Sequence, residues 1–226
     1  MKITYLGHAT IYTEIKGQKI LFDPFITPNE LAKKIDVDAL AVDYIFVSHG
    51  HEDHVADVER IAKRTGAKIV SNFEITTWFE GKGCANVHPM NIGGSWNFDF
   101  GRVKYVNAVH SSTLPDGSGG GNPGGFVFET NEGNFYYAGD TALTLDMKLI
   151  ALQTKLDFAI LPIGDNFTMG IEDAVMAAGF VDVDKVLAMH FDTFGFIKID
   201  HSKAVNKFAE ANIELRILEV GGETTY

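Results

Sequence analysis

One cysteine in 226 residues, Cys84, excludes an intrachain disulfide framework and a cysteine-rich zinc site. A lone thiol fits a reducing compartment. Positive charge is also short, since 19 Lys and Arg face 30 Asp and Glu for a net charge of −11 at pH 7. A surface of that sign repels phosphate backbones and anionic lipid, which sets long nucleic acid and membranes aside as partners. No stretch approaches the roughly 18 uncharged apolar residues of a spanning helix. Polar residues break the opening Met1-Lys2-Ile3-Thr4-Tyr5-Leu6-Gly7-His8 almost at once, so no export leader is expected and the chain reads as soluble and cytoplasmic. What is present is ordinary for a globular protein: 46% hydrophobic and 22% charged residues, enough to bury a sizeable core.

Short apolar runs bounded by turn residues dominate the chain. Residues 2–6, 10–15 and 19–22 read as a β-meander with Lys16-Gly17-Gln18 as a turn. The pattern then predicts a strand at 43–47, a helix over 54–65, a strand from 68 and a short helix over 73–80. A second strand-rich block covers 96–100, 102–109, 125–130 and 135–138. Helices over 144–153, 171–179 and 201–211 then alternate with strands at 157–161, 184–189 and 214–219. The order is strands, βα units, strands, βα units, which suggests two similar halves without a sequence repeat. No linker divides the chain, so one domain over 1–226 is expected.

The decisive stretch is Ser48-His49-Gly50-His51-Glu52-Asp53-His54, between a strand and a helix. Imidazole and carboxylate hold zinc and its neighbours. In an extended turn residues i and i+2 point the same way, so His49 and His51 are able to share one ion. Asp53 and His54, on the turn into the helix, aim at a slightly different place, which favours two adjacent ions. By chance about one random chain of this composition in a thousand would carry this motif. Three more donors sit at predicted strand ends: His110 after 102–109, Asp140 after 135–138 and His190 after 184–189.

The set His49, His51, Asp53, His54, His110, Asp140 and His190 resembles that of the metallo-β-lactamase superfamily. Tyr5-Leu6-Gly7-His8-Ala9-Thr10 and Gly164-Asp165-Asn166-Phe167-Thr168-Met169-Gly170 narrow the likeness to a group of bacterial and archaeal metal-dependent hydrolases related to the ascorbate-6-phosphate lactonase branch. The resemblance spans essentially the whole chain and says little about substrate. It implies an α/β fold, a four-layer αββα sandwich of two mixed sheets with helices on the outer faces. It further implies His49, His51 and His110 on a first ion, Asp53, His54 and His190 on a second, and Asp140 between them.

Such a donor set predicts a metal-dependent hydrolase in which a hydroxide held by two metal ions attacks an ester, lactone or phosphorylated small molecule. Asp53 would orient the hydroxide and accept its proton. Five imidazoles, two carboxylates and no thiolate fit zinc, with manganese, iron and nickel as alternatives. Two other readings stay open: a phosphodiesterase or nuclease-type metallo-hydrolase, and a non-catalytic metal-bound sensor. A β-lactam hydrolase is disfavoured, such enzymes usually carrying an export signal. A homo-oligomer is left open.

Other residues have both a functional and a bland reading. His8, at the end of the first strand, is assigned to the active site, bonding substrate or supporting a donor residue, with a structural turn histidine as the alternative. Asp23 either orients a donor histidine through its far ring nitrogen or turns the chain before Pro24. The Gly-rich stretch 117–125 is either a lid or a plain connection. Asp165, Asn166 and Thr168 are candidates to face the pocket, with Thr168 alternatively capping the helix over 171–179. His88, before Pro89, reads as a structural loop histidine and His201, beside the helix N-cap Asp200, reads as structural too, Cys84 has no visible role, and Trp78, Trp96 and the 17 phenylalanines read as packing.

Overall fold

A computed structural model of the chain describes residues 1–226. The opening meander forms as β1 (Lys2–Gly7), β2 (Thr10–Ile15) and β3 (Gln18–Phe22). The β2–β3 turn, Lys16-Gly17, holds both residues at positive φ, which matches the twist of a tight hairpin. The chain then runs through β4 (Tyr44–Phe46), α1 (Glu52–Val55), α2 (Val58–Thr65), β5 (Lys68–Asn72), α3 (Phe73–Gly81) and β6 (Val87–Met90). The second half is β7 (Ser95–Phe98), β8 (Gly101–Asn107), β9 (Gly124–Glu129) and β10 (Phe135–Tyr137), followed by α4 (Met147–Gln153), β11 (Phe158–Pro162), α5 (Ile171–Phe180), β12 (Lys185–Met189), α6 (His201–Glu210), β13 (Glu214–Arg216) and β14 (Glu223–Thr225).

Two seven-stranded sheets result, ordered β14-β1-β2-β3-β4-β5-β6 and β13-β12-β11-β10-β9-β8-β7. The first runs through three antiparallel pairings from β14 to β3 and then three parallel ones to β6. The second repeats that sequence from β7 to β13. The two halves expected from the element order are therefore real at the level of topology, and both sheets are mixed. Helices α2 and α3 pack on the first sheet and α5 and α6 on the second, giving the expected αββα layering.

The layers are held by aromatic rings. Phe22 stacks on Tyr137 at 4.6 Å and Phe46 meets Phe128 edge-on at 4.9 Å, so residues of the first sheet interdigitate with those of the second. These rings belong to a buried cluster of 45 residues, while 18 more, including Ile45, Val47, Ile61 and Phe79, fill the outer layer of the first sheet. Strand β11 is buried along its whole length, as a parallel strand covered on both faces must be.

Several local expectations are corrected. The helix over 54–65 is two helices broken near Asp57, because the Asp57 carboxylate accepts the amides of Ile26 and Thr27 at 2.7 and 2.8 Å and its own amide turns to Pro24 O. His88 lies in β6, where Pro89 is tolerated because the strand is at the sheet edge. Gly170, not Thr168, occupies the N-cap position of α5. The strand expected over 214–219 ends at Arg216. Trp96 is 55% exposed on edge strand β7 and is not core. The Gly-rich stretch is anchored at its C-terminal end, where Gly120 N donates to Ser112 O, Asn72 Nδ2 donates to Gly120 O, and Gly124 and Gly125 begin β9, while residues 117–119 are exposed.

Phe46→Ala should cost about 3–5 kcal/mol of unfolding free energy because it empties the inter-sheet core, whereas Trp96→Ala should cost under about 1 kcal/mol. Guanidinium denaturation of the two variants measures the contrast; equal costs would contradict this placement of the core.

Candidate metal centre

The C-terminal ends of β1, β3, β4, β8, β10 and β12 reach one edge of the sandwich, because parallel or doubly antiparallel strands share direction. The segments leaving these ends carry, in order, His8, Asp23, the run 48–54, His110, Asp140 and His190. His8, Asp23 and His190 have positive φ of 57°, 40° and 56°. Such conformations cost a non-glycine residue about 1–3 kcal/mol each and persist only where the surroundings impose them. Close approach is forced too. Gly139, beside Asp140, has φ 61°, and a Cβ there would lie 2.6 Å from Ser48 Cβ on the other sheet.

All seven predicted donor residues come together. Asp140 Oδ2 is the common point: it lies 3.0 Å from His190 Nε2, 3.4 Å from His54 Nε2, 3.5 Å from His110 Nε2 and 3.9 Å from His49 Nε2. Around it the donors form overlapping groups, one of which joins His49 and His54 with Asp23. Ring nitrogens of His49, His51 and His110 lie within 4.8 Å of one another, as do atoms of His8, Asp53, His54 and His190. His49, His54, Asp140 and His190 are almost wholly buried, while His51 and His110 are half-buried and Asp53 is 24% exposed, so the cluster opens to solvent on that side.

Residues behind the cluster fix which nitrogen faces inward. Asp23 is fully buried and accepts four donors: Ser48 N at 2.7 Å, Ser48 Oγ at 2.5 Å, His54 Nδ1 at 2.8 Å and the Tyr137 hydroxyl at 2.7 Å. With Nδ1–H given to Asp23, His54 turns its Nε2 lone pair to the cluster. His49 Nδ1 is 2.9 Å from Ser48 Oγ, which has already donated to Asp23, so it too offers Nε2. Asp23 therefore has the orienting role, and its turn role is secondary. His8 Nε2 donates to Asp53 Oδ2 at 3.0 Å and its Nδ1 lies 2.9 Å from Thr193 Oγ1, so both its nitrogens are engaged. These contacts tie His8 to Asp53. Asp165 and Asn166 line a neighbouring cleft, while His201 pairs with Asp192 at 2.7 Å, away from the cluster.

Burial, then the nearby His54, holds the His49 imidazole well below its usual range, and burial lowers His51 and His110. Burial and His190 push His8 down to about 4. Burial opposes charge on His54 and His190 as well, yet Asp140 leads the carboxylates that hold His54 well above the ordinary imidazole value and His190 up to about 9. Burial would likewise raise the carboxyls of Asp53 and Asp140, but the facing imidazoles keep both well below the usual range. The cluster is thus an anionic pair that demands positive charge, which protons or a metal cation are able to supply in competition. Four buried atoms find no hydrogen-bond partner here: His54 Nε2, His190 Nδ1 and Nε2, and Asp140 Oδ1. An unpaired buried polar atom costs about 1–3 kcal/mol, so orphans gathered among imidazole and carboxylate donors fit a divalent cation.

The residues that sequence reasoning missed are the phenylalanines beside the cluster. Phe25 and Phe194 lie with ring centroids 5.5 and 5.2 Å from that of His8, and Phe167 and Phe196 stand outside them. Their place in loops rather than strands was the available signal.

The family profile described as "Beta-lactamase superfamily domain" matches residues 2–190. The chain is 59% identical over 221 residues to a UPF0173 metal-dependent hydrolase of Flavobacterium johnsoniae, 98% of each chain being covered. It is 53% identical over 220 residues to the UPF0173 metal-dependent hydrolase of Methylacidiphilum infernorum, covering 97% of each. Among solved structures, the metallo hydrolase Igni18 from Ignicoccus hospitalis is 34% identical, with a TM-score of 0.90 over 100% of this chain and 97% of that one. An isothiocyanate hydrolase from Delia radicum gut bacteria shares the fold, with a TM-score of 0.81 and 20% identity over 100% and 99% of the chains. No helix of the structure is long and apolar enough to cross a membrane.

Asp23→Asn keeps the side chain's shape but sets an amide against donors. It should lower metal affinity about 10- to 100-fold with native secondary structure retained, as read by elemental analysis after dialysis and by circular dichroism. Unchanged metal retention would remove Asp23 from the orienting role.

Proposed function

The chain belongs to the metallo-β-lactamase superfamily, as one of its metal-dependent hydrolases, and on that premise we propose that two divalent ions, zinc by preference, serve one hydrolytic site. The observation that carries the proposal is the convergence of four imidazole nitrogens within 3.0–3.9 Å of a single buried carboxylate oxygen of Asp140. His49, His51 and His110 would hold one ion and Asp53, His54 and His190 the other, with Asp140 between. His8 is left out because its Nε2 donates to the Asp53 carboxylate and its Nδ1 faces Thr193 rather than the other donors. When bound, such ions lower the pKa of a coordinated water to about 7 and polarise a substrate oxygen.

The chain's own residues supply the rest. Asp23 and Ser48 set the ring orientation of His54 and His49 before any ligand arrives. Asp53 is the proton acceptor of this reading, since it borders both the cluster and the exposed cleft and is steadied by His8. As the attacking water's oxygen joins the acyl carbon, its proton passes to Asp53, which returns it to the leaving oxygen as the bond from that oxygen to the acyl carbon breaks. His8 acts through Asp53 as a positioning residue. Small esters and lactones are the substrates this arrangement suits, with the cytoplasm as its place of action.

His51→Ala or Asp140→Ala should abolish turnover of p-nitrophenyl butyrate and lower metal content together. Full turnover in either variant would sink the assignment. Asp53→Asn should lower kcat about 10²- to 10⁴-fold, and His8→Gln should fall by less. A larger loss for His8→Gln would reverse the two roles.

A further inference from the structure

An open cleft of about 820 Å³ begins at Asp53, and four phenylalanines line it. Phe25 is buried and Phe194 half-buried, and their rings lie on His8 at 5.5 and 5.2 Å. Farther out, Phe167 and Phe196 meet edge-on at 6.2 Å and are 48% and 78% exposed. Thr193, which bonds His8, also lines the cleft, so the aromatic surface is continuous with the reacting groups. Exposed aromatic rings gathered at a concave surface next to chemistry mark a ligand surface rather than a packing accident.

Charge narrows the ligand. The charged residues of the cleft are Glu52 and Asp53, and its lining includes no lysine or arginine. Lys198 and Lys203 line a second cleft that shares only Phe196 with the first, and there they stand among Asp165, Glu172 and Asp200. A phosphate or carboxylate on the substrate would therefore meet like charge along the phenylalanine wall, with no cationic side chain to receive it.

We propose that Phe25, Phe167, Phe194 and Phe196 form the substrate-binding surface, and that the substrate is an uncharged small molecule bearing an aromatic or aliphatic group. The apolar group lies on Phe167 and Phe196 while the scissile bond lies at Asp53. This deepens the hydrolytic reading above and rests on it for the place of the scissile bond. It weighs against compounds whose charged group would lie along the phenylalanine wall, away from the scissile bond.

Two fluorescent probes with the same rings test it: N-phenyl-1-naphthylamine, which is uncharged, and 1-anilinonaphthalene-8-sulfonate, which carries a sulfonate. The full chain supplemented with zinc should bind the uncharged probe at least about tenfold more tightly, and p-nitrophenyl butyrate should displace it. In the Phe167→Ala/Phe196→Ala variant the uncharged probe should bind about tenfold more weakly. Both rings are exposed, so the melting temperature should stay near that of the parent chain. Equal binding of the two probes, or binding unchanged in the variant, overturns the proposal. If p-nitrophenyl butyrate displaces the uncharged probe but is not turned over, the cleft assignment stands and the hydrolytic reading fails.

Discussion

Asp23 is the residue on which the site's architecture depends. Its carboxylate, sealed from solvent, receives an amide and a hydroxyl from Ser48, an imidazole N–H from His54 and the hydroxyl of Tyr137. Three of these come from the first half of the chain and the fourth from a strand of the opposite sheet. A buried carboxylate is expensive unless its lone pairs are filled, so the four donors and the acceptor hold one another in place. The backbone repeats the tie nearby, where His190 N donates to His8 O across the two sheets. The rigidity of the donor cluster is thus built from hydrogen bonds behind it.

The sandwich explains why the donors meet where they do. Each sheet passes from three antiparallel pairings to three parallel ones, and the strands bearing donors all finish at the same edge. Packing of Phe22 on Tyr137 and of Phe46 on Phe128 then sets the spacing between the two edges. Positive φ at His8, Asp23 and His190 shows the local chain yielding to this arrangement. Local preference is overruled at the reacting edge and obeyed along the strands, a division common in functional sites.

Electrostatics and shape divide the labour between the two sides of Asp53. On one side the imidazoles and Asp140 form a polar, mostly buried cluster that favours cations. On the other the phenylalanine cleft offers apolar area and no positive side chain. On the proposed reading, an anionic substituent lying along the cleft would meet Glu52 and no cationic side chain. Selectivity of this kind needs no specific contact with a charged group, only the lack of one.

The sequence by itself determined the chemistry. His49-Gly50-His51-Glu52-Asp53-His54 announces a metal site because four donors in six residues at a strand-to-helix turn have few other uses. Most strands were legible from alternation and turn residues, which are local signals. The exceptions have tertiary causes. The helix after His54 breaks because Asp57 is claimed by the amides of Ile26 and Thr27. Strand β14, the polar run Glu223–Thr225, is a strand only because it pairs with β1 at the other end of the chain. Only the tertiary structure chose between the readings of Asp23 and tied His8 to Asp53, and only it gathered Phe25, Phe167, Phe194 and Phe196 into one cleft. Those choices depend on which distant atoms come within hydrogen-bond or van der Waals reach, a property of strand order and sheet spacing that no local pattern encodes.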